Sequence, residues 1–396
     1  MISVEEAKNL VLKSSFCLQS YLQNVSDALD MVLSEDVLAP LSIPPFDQSA
    51  MDGYAFLFED YRQKREIEII GEVAAGKVHT QDLNSGKCVR IFTGAALPKG
   101  ADTVVVQEQT EVANNVLKIN DANLVLGSNV RVEGSQIRKG KVALQKGHLI
   151  TPGGIGYLTA MGIGSVPVFS KPRISIIVTG SELQKPGSSL EKGKIFESNS
   201  YAVDAALKSI GILVQEIISV VDDENEIFEK INHAVNSSDM VLITGGISVG
   251  DYDFVGSSLK KIGIENIFYK IKQKPGKPLF FGKQKKTLVF GLPGNPASVL
   301  SCFYEYVYPA IRTMQGKTEL FLKTVRLPLA KSYAKKNGLA FFLKGKITNG
   351  KVVPLEGQES FMLSSFAIAD SLIYLPAELE NPEAGEMVEV HLLPSL

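Results

Sequence analysis

The stretch MVLITGGISVGDYDFV, residues 240–255, decides how the rest of the chain is read. Met240 to Ile243 form an apolar run with the length and β-branched character of a buried strand. Gly245, Gly246 and Gly250 then turn the chain, and Asp251 and Asp253 stand where a new helix begins. Glycine lets the main chain pass close to a ligand and present its N–H groups. Aspartates beside such a turn suit a hard cation such as Mg2+. In an open α/β sheet, ligands bind at the loops leaving the carboxyl ends of the strands. Taken alone, the stretch is equally compatible with an ordinary glycine-rich turn in which Asp253 lies near a helix N-cap.

The neighbouring segments extend the same grammar. RISIIVTG reads as a buried strand, SYAVDAALKSIG as a helix, ILVQEIISVV as a strand and NEIFEKINHAVN as a helix, ahead of the strand at 240. This alternation, from Pro172 onward, predicts a parallel, doubly wound sheet with helices on both faces. Glu182 follows the first strand, Asp222 and Asp223 the second, and the opening stretch the third. Acidic groups at three strand ends point to one shared ligand and metal crevice.

NIFYKIKQKPGKPLFFG supplies the opposite charge. Lys270, Lys272 and Lys274 alternate and so share one face of an expected strand, and Pro275-Gly276 turns the chain to bring Lys277 near. The run is either a solvated edge that resists strand pairing or an oxyanion and phosphate site. In GLPGNPAS, Pro293-Gly294 is a rigid turn, Asn295 an N-cap and Pro296 the first residue of a helix reaching about Met314.

Towards the N-terminus, residues 1 to about 40 read as helical, with Val4, Ala7, Leu10 and Val11 and then Val25, Leu29, Val32 and Leu33 at helical spacing. Pro40, Pro44 and Pro45 end that pattern, and Asp52-Gly53 in LSIPPFDQSAMDGYAF signals a turn. From Ile67 to Val142 short strands predict a small β domain, in which Thr93-Gly94 follows a strand as a polar turn or an anion contact. Residues 318–396 return to β patterning, with a hairpin signal at Thr348-Asn349-Gly350-Lys351 and a compact C-terminal barrel or sheet expected.

A chain of 396 residues predicts several domains. The net charge of −2 gives no global attraction to nucleic acid or anionic membrane, so any anion site must be built locally. No apolar run approaches the ~20 residues of a membrane span, and MISVEEAKNL carries acids where a signal peptide has bases. A cytoplasmic protein with neither nucleic-acid nor membrane partners is expected. Cys17, Cys88 and Cys302 are far apart, as are His79, His148, His233 and His391. Neither a disulfide framework nor a His/Cys metal centre is suggested. The chemistry is left to carboxylates, lysines and backbone.

Read together, SAMDGYA (Ser49 to Ala55), RIFTGAALPKGADTVV (Arg90 to Val105), VTGSEL (Val178 to Leu183), TGGISVGDYDF, KPGKP (Lys274 to Pro278) and GLPGNPAS (Gly291 to Ser298) resemble the molybdopterin molybdenumtransferase family. These are the MoeA proteins and the C-terminal part of gephyrin, and the likeness runs over nearly the whole chain. It implies an α/β multidomain protein and a homodimer. A discontinuous linker domain would span 1–46 and 135–171, an inserted β domain 47–134, a molybdopterin-binding doubly wound α/β domain 172–316, and a C-terminal β barrel 317–396. It also implies a reaction of adenylylated molybdopterin with molybdate, assisted by Mg2+, that yields molybdenum cofactor and AMP. Molybdopterin adenylyltransferase would act upstream.

By motif, the resemblance implies that Asp52, Thr93, Glu182, Asp222 and Asp253 form the catalytic polar set, with Glu182, Asp222 and Asp253 as metal ligands. The binding positions it implies are Thr179, Gly180 and Ser181; Gly245, Gly246, Ser248 and Gly250; and Pro293 and Pro296. Lys270, Lys274 and Lys277 resemble the family's basic wall, and Ser360 resembles a molybdate contact. In the family the MDGYA stretch of one subunit completes the site of the other, which would place Asp52 across a dimer interface. The chain departs from the pattern at Gly134-Ser135-Gln136, where two carboxylates are missing, and at Leu339 and Lys344, where arginines are expected. With Lys344 as a molybdate contact, an arginine there would bind tighter through its planar fork. Tungsten insertion and a pterin-binding scaffold without turnover are the rival readings; four carboxylates near one crevice speak against the scaffold.

Overall fold

The computed structural model describes residues 1–246 and 254–394. The chain folds as two compact units, Met1–Tyr21 with Phe169–Leu396, and Leu22–Val168.

The first unit begins with helix α1 (Val4–Ser14), whose N-cap Ser3 accepts a hydrogen bond from the Glu6 amide. Its α/β part is a six-stranded sheet made from β1 (Ile174–Thr179), β2 (Val214–Val220), β3 (Met240–Thr244), β4 (Glu265–Tyr269), β5 (Phe280–Gln284) and β6 (Thr287–Leu292), in the spatial order β2-β1-β3-β6-β5-β4. The register sets Val178 beside Thr244 and Thr244 beside Leu292, which brings the carboxyl ends of β1, β3 and β6 to one line. Every residue of β1 and β3 is buried, as a strand covered on both faces requires. Alternate residues serve opposite cores. Ile176, Val178, Leu242 and Phe290 pack with α1, with α2 (Asn199–Ser209) and with the helices after β6. Ile177, Val241, Ile243 and Val289 pack with α3 (Glu224–Ser237) and α4 (Phe254–Ile262).

The doubly wound arrangement is therefore present, with one correction to the parallel sheet expected. β5 runs antiparallel to β6, and β4 antiparallel to β5. Only Lys285 and Lys286 join β5 to β6, and a two-residue connection closes a hairpin; a parallel pair needs a crossover of a dozen or more residues. The segment from Pro296 to Met314 is helical throughout, with a π-helical turn at Phe303–Val307.

Beyond it, strands Thr324–Pro328, Ala340–Thr348, Lys351–Pro354, Ser371–Leu375 and Met387–Leu392 form the C-terminal sheet. A bridge between Leu329 and Val352 brings the first of these strands beside the third and closes the ring into a barrel. Its core is Leu329, Leu343, Val352, Ile373 and Val390. Asn349 and Gly350, at φ 50° and 71°, form the hairpin turn read from the sequence.

In the second unit a six-stranded sheet runs through Thr103–Val106, Gly53–Phe56, Lys87–Ile91, Ile67–Val73, Val116–Ile119 and Thr110–Ala113. Around Leu33, Ile150, Leu158 and Val166 a separate core gathers helix Pro152–Ala160. The helix expected over Val25 to Leu33 is reduced to a single 3-10 turn at Val25–Asp27. Asp30 has φ 61°, the Leu33 amide donates to His148 O at 3.0 Å, and the Ile150 amide donates to Met31 O at 2.8 Å. An antiparallel bridge between Val32 and Leu149, distant in sequence, overrides the local period. Among the described residues, no helix is long and apolar enough to cross a membrane.

Candidate active site at the strand ends

A cavity of about 1210 Å3 opens at the carboxyl ends of β1, β3 and β6. Its wall contains Thr179 at the end of β1 and Glu182 after it, Gly245 after β3, and Pro293 and Pro296 after β6. Lys270, Lys274, Lys277 and Ser360 complete the set. Residues read from separate motifs thus converge on one space. Gly180, Ser181, Gly246 and Asp222 lie next to this wall without lining it. Ser248, Gly250, Asp251 and Asp253 lie outside the described residues.

The acidic side is built by backbone proximity. The Ser181 amide donates to Asp222 Oδ2 at 2.9 Å and the Asp222 amide donates to Ser181 Oγ at 3.2 Å, so the loops after β1 and β2 lock reciprocally. The Glu182 carboxylate folds over Gly180, where a Cβ would come within 2.8 Å of Oε2. Gly245, at φ 89°, passes so close to β1 that a Cβ would sit 2.2 Å from Thr179 O. Only glycine permits that approach. Asn199, which motif reading passed over, ties the wall together: its Nδ2 donates to Thr244 Oγ1 and to Gly294 O, both at 2.8 Å. The SNS run just before a helix was the one sequence signal for it.

On the basic side the expected single strand does not exist. β4 ends at Tyr269, Lys270 has φ 72°, and Gln273–Lys274 instead pair with Ala340 and Phe341 of the C-terminal sheet. A shared strand face therefore does not align the lysines. The KPGKP turn does, braced by buried Gln273, whose Nε2 donates to Pro275 O at 3.0 Å and whose Oε1 accepts from Tyr306. Gly276, at φ 86°, packs where a Cβ would meet Cys302 Sγ at 2.4 Å. Lys274 and Lys277 are exposed, and among the described residues none of the three wall lysines forms an ion pair with a carboxylate. Lys272 is absent from the wall. Lys270 Nζ lies over the Tyr269 ring at 5.0 Å and Lys274 Nζ over the Phe341 ring at 5.5 Å, contacts that leave the ammonium charge available to an anion.

Ser360 reaches the same wall from the C-terminal sheet. Its Oγ accepts from Asn295 Nδ2 at 2.8 Å, and its carbonyl accepts from the Ala297 amide at 3.0 Å. Asn295 is thus the N-cap position of Pro296–Cys302, but its side chain is spent on Ser360. Lys344 corrects the expectation of an anion contact. It is 1% exposed, and its Nζ donates to the carbonyls of Gly357 at 2.7 Å, Glu359 at 3.2 Å and Met362 at 3.2 Å. Burial pushes its pKa down to about 8. The ammonium is caged beneath the loop that carries Ser360 and does not face the cavity; Leu339 does.

Asp52 and Thr93 meet in the second unit. Asp52 Oδ1 accepts from the Thr93 amide at 2.8 Å and from Thr93 Oγ1 at 2.7 Å. The amide bond first, and then the hydroxyl, hold the Asp52 carboxyl below the usual carboxylate range. Gly53 is required beside it, since a Cβ there would lie 1.9 Å from Val105 O. Arg90 stacks over Tyr54 and Phe92, at 5.1 and 5.4 Å, and adds positive charge near Asp52.

Among the described residues no group of three or more His, Cys, Asp or Glu side chains could hold a metal ion. Glu182 and Asp222 are both hard oxygen donors on loops locked through Ser181. Carboxylate oxygens are the donor type that Mg2+ takes, one or two at a time beside phosphate and water.

Residues 2–162 match the MoeA N-terminal region (domain I and II), residues 175–313 a probable molybdopterin binding domain, and residues 326–393 the MoeA C-terminal region (domain IV). A molybdopterin molybdenumtransferase of Haemophilus influenzae is 32% identical over 405 residues, covering 99% of this chain and 100% of that protein. One from Staphylococcus epidermidis is 32% identical over 403 residues, covering 100% and 96%. A crystal structure of a molybdopterin biosynthesis MoeA protein from Pyrococcus horikoshii superposes with a TM-score of 0.83 at 30% identity, covering 99% of this chain and 100% of that one. With likeness at this level over the full length, the chain belongs to the molybdopterin molybdenumtransferase family.

Proposed function

We propose that this chain acts in molybdenum cofactor biosynthesis as a transferase, inserting molybdenum from molybdate into adenylylated molybdopterin and releasing AMP and molybdenum cofactor. The observation that carries the reading is the single cavity that joins Glu182 and the strand-end glycine turns to Lys270, Lys274, Lys277 and Ser360. Its volume of about 1210 Å3 exceeds the roughly 300–1,000 Å3 usual for small-molecule sites, which suits a substrate of two ring systems joined by phosphate. The lysines bind phosphate and molybdate oxygens, and the Ser360 hydroxyl adds a neutral partner. Glu182 and Asp222, with Asp253 as the sequence motif implies, would hold Mg2+. That ion, when bound, supplies charge neutralisation at the departing phosphate. The strand-end loops orient the pterin, and the glycine turns let backbone N–H groups approach it.

The active form in this reading is a homodimer in the cytoplasm, where a second copy contributes Asp52 and Thr93. Leu38, Phe46, Met51 and Val132, exposed at 55%, 44%, 46% and 57%, offer the apolar surface for the partner. The four-domain division at 46/47, 134/135, 171/172 and 316/317 belongs to the same proposal, as does a molybdopterin adenylyltransferase that supplies the substrate. The test is incubation with adenylylated molybdopterin, Mg2+ and molybdate, measuring AMP release and reconstitution of a molybdenum-dependent apoenzyme. Absence of both under conditions where the protein is folded and dimeric refutes it.

A further inference from the structure

Phe361 is the most exposed phenylalanine among the described residues, at 62%, and it stands in the cavity wall beside Ser360. Phe281, Phe290, Phe303 and Phe342 are fully buried by contrast. Nor is Phe361 left out on a slack loop. On one side Ser360 is held by Asn295 Nδ2 and the Ala297 amide. On the other, the Met362 carbonyl accepts from the caged Lys344 ammonium at 3.2 Å, and the Met362 amide donates to Glu359 O at 3.1 Å. The backbone on both sides of the ring is fixed, so an apolar ring is presented to the cavity at the cost of leaving its surface in water.

Phe196 repeats the arrangement on a different segment. It is 41% exposed and also lines the cavity. The Ile195 amide donates to Glu182 O and the Glu197 amide to Gln184 O, both at 2.9 Å, so Phe196 too is clamped between bonded neighbours. Its chain neighbour Glu197 also lines the cavity, but both of its carboxylate oxygens are taken by Ser200. Two clamped, exposed aromatic faces in a cavity that also carries three lysines with no carboxylate partner among the described residues describe a site for an anion attached to a flat ring. Lysines provide for the anion alone, and stacking is the interaction that reads a ring without regard to its hydrogen-bonding edge.

We propose that Phe361 and Phe196 are aromatic walls on which a planar heteroaromatic ring of the phosphate-bearing ligand stacks. The inference rests on the phosphate site of the proposed function and names residues that function does not assign. Two pairs of ligands separate ring from phosphate: AMP against ribose 5-phosphate, and neopterin monophosphate against glycerol 3-phosphate. Calorimetric titration of the full chain with each, before and after Phe361→Ala and Phe196→Ala, reads the stacking directly. In at least one pair the ring-bearing member loses affinity on the order of ten-fold while its ring-less partner is unchanged. The pair that responds identifies the ring as purine or pterin.

Because the chain has no tryptophan, Phe361→Trp is a sole reporter at the site. Its emission changes with the ring-bearing ligand and not with the ring-less one, and the larger ring preserves affinity. Unchanged affinities in both alanine variants, or equal weakening of both members of a pair, overturn the stacking role. If the unaltered chain binds ring-less and ring-bearing phosphates equally, the stacking proposal fails and the phosphate site stands. If it binds none of the four, the phosphate site fails and takes the proposal with it.

Discussion

Replacing Lys344 by methionine removes the ammonium and keeps most of the side-chain volume, which isolates the cage beneath the 357–362 loop. Of the three carbonyls involved, those of Gly357 and Met362 also accept from Ser365 Oγ, at 2.7 and 3.4 Å. The Glu359 carbonyl loses the Lys344 contact at 3.2 Å and keeps the Met362 amide at 3.1 Å. Each acceptor keeps one donor, so what is lost is hydrogen bonding to a charged group, about 1.5–3 kcal/mol. Relief of the desolvated ammonium offsets part of that, leaving a local loss of about 1–2 kcal/mol. The loss is expected in the loop and at its attachment to the helix at Pro296, not in the sheet. The Ala297 amide, which donates to Ser360 O, is the reporter. At 1.4 kcal/mol per factor of ten, its hydrogen exchange should quicken by about 5–30-fold, with β1 and β3 amides unchanged. Unaltered protection at Ala297 would refute the positioning role. Lys344→Arg is a second arm: a guanidinium in a closed cage overpacks it by about 1–3 kcal/mol, so molybdate binding should weaken. Tighter molybdate binding would sink the structural argument and restore the anion contact expected from sequence.

Further outcomes follow from the same geometry. Lys274→Ala should weaken AMP and molybdate binding, with a difference from the unaltered chain that shrinks as salt rises, because an exposed ammonium acts through screened charge; a salt-independent difference in titrations would contradict this. Gly245→Ala forces a Cβ to within 2.2 Å of Thr179 O at a positive φ, so it should displace the β3 loop and abolish AMP release while the C-terminal barrel keeps its exchange protection. The buried cluster Lys8–Glu305–His391, with contacts of 2.6 Å on both sides of Glu305, predicts a pH dependence. Burial works against a charged His391, but the Glu305 carboxylate prevails and raises its pKa above 6.5. A raised histidine contributes stability that is complete below about 6.5 and lost as pH rises through the folded value. Protection of α1 should therefore decline as pH rises above 6.5, and His391→Gln should flatten that slope; an identical slope in both proteins would rule the cluster out as its source.

Much of the α/β architecture is legible in the sequence because its determinants are local. Strand β3 opens on an uninterrupted apolar run and β1 is apolar but for Ser175 and Thr179, α2 and α3 carry their own periodicity, and Gly245 and Asn349-Gly350 are backbone demands that few other residues meet. Glu182, the wall lysines and Ser360 were named from motifs, and the structure brings them to one cavity. Elsewhere the local signal was present and lost. Val25 to Leu33 have a helical period, but the carbonyls of His148 and Ile150 claim the Leu33 and Asp30 amides. Lys270 to Lys274 alternate as a strand does, yet the chain leaves the sheet at Lys270 and joins the barrel at Gln273.

Lys344 shows the limit most directly. From sequence, a lysine standing where the family's arginine is expected reads as an anion ligand. Only the tertiary structure shows three carbonyls, supplied by residues 13 to 18 positions away, closing around its ammonium. Phe361 is the converse, since nothing in its neighbours says that this ring stays outside while Phe366 is buried. Spacing along the chain determines which residues share a face and where the backbone must turn. Burial and hydrogen-bond satisfaction are sums over groups that only folding assembles, and those sums decided which charges face the cavity and which are spent holding it open.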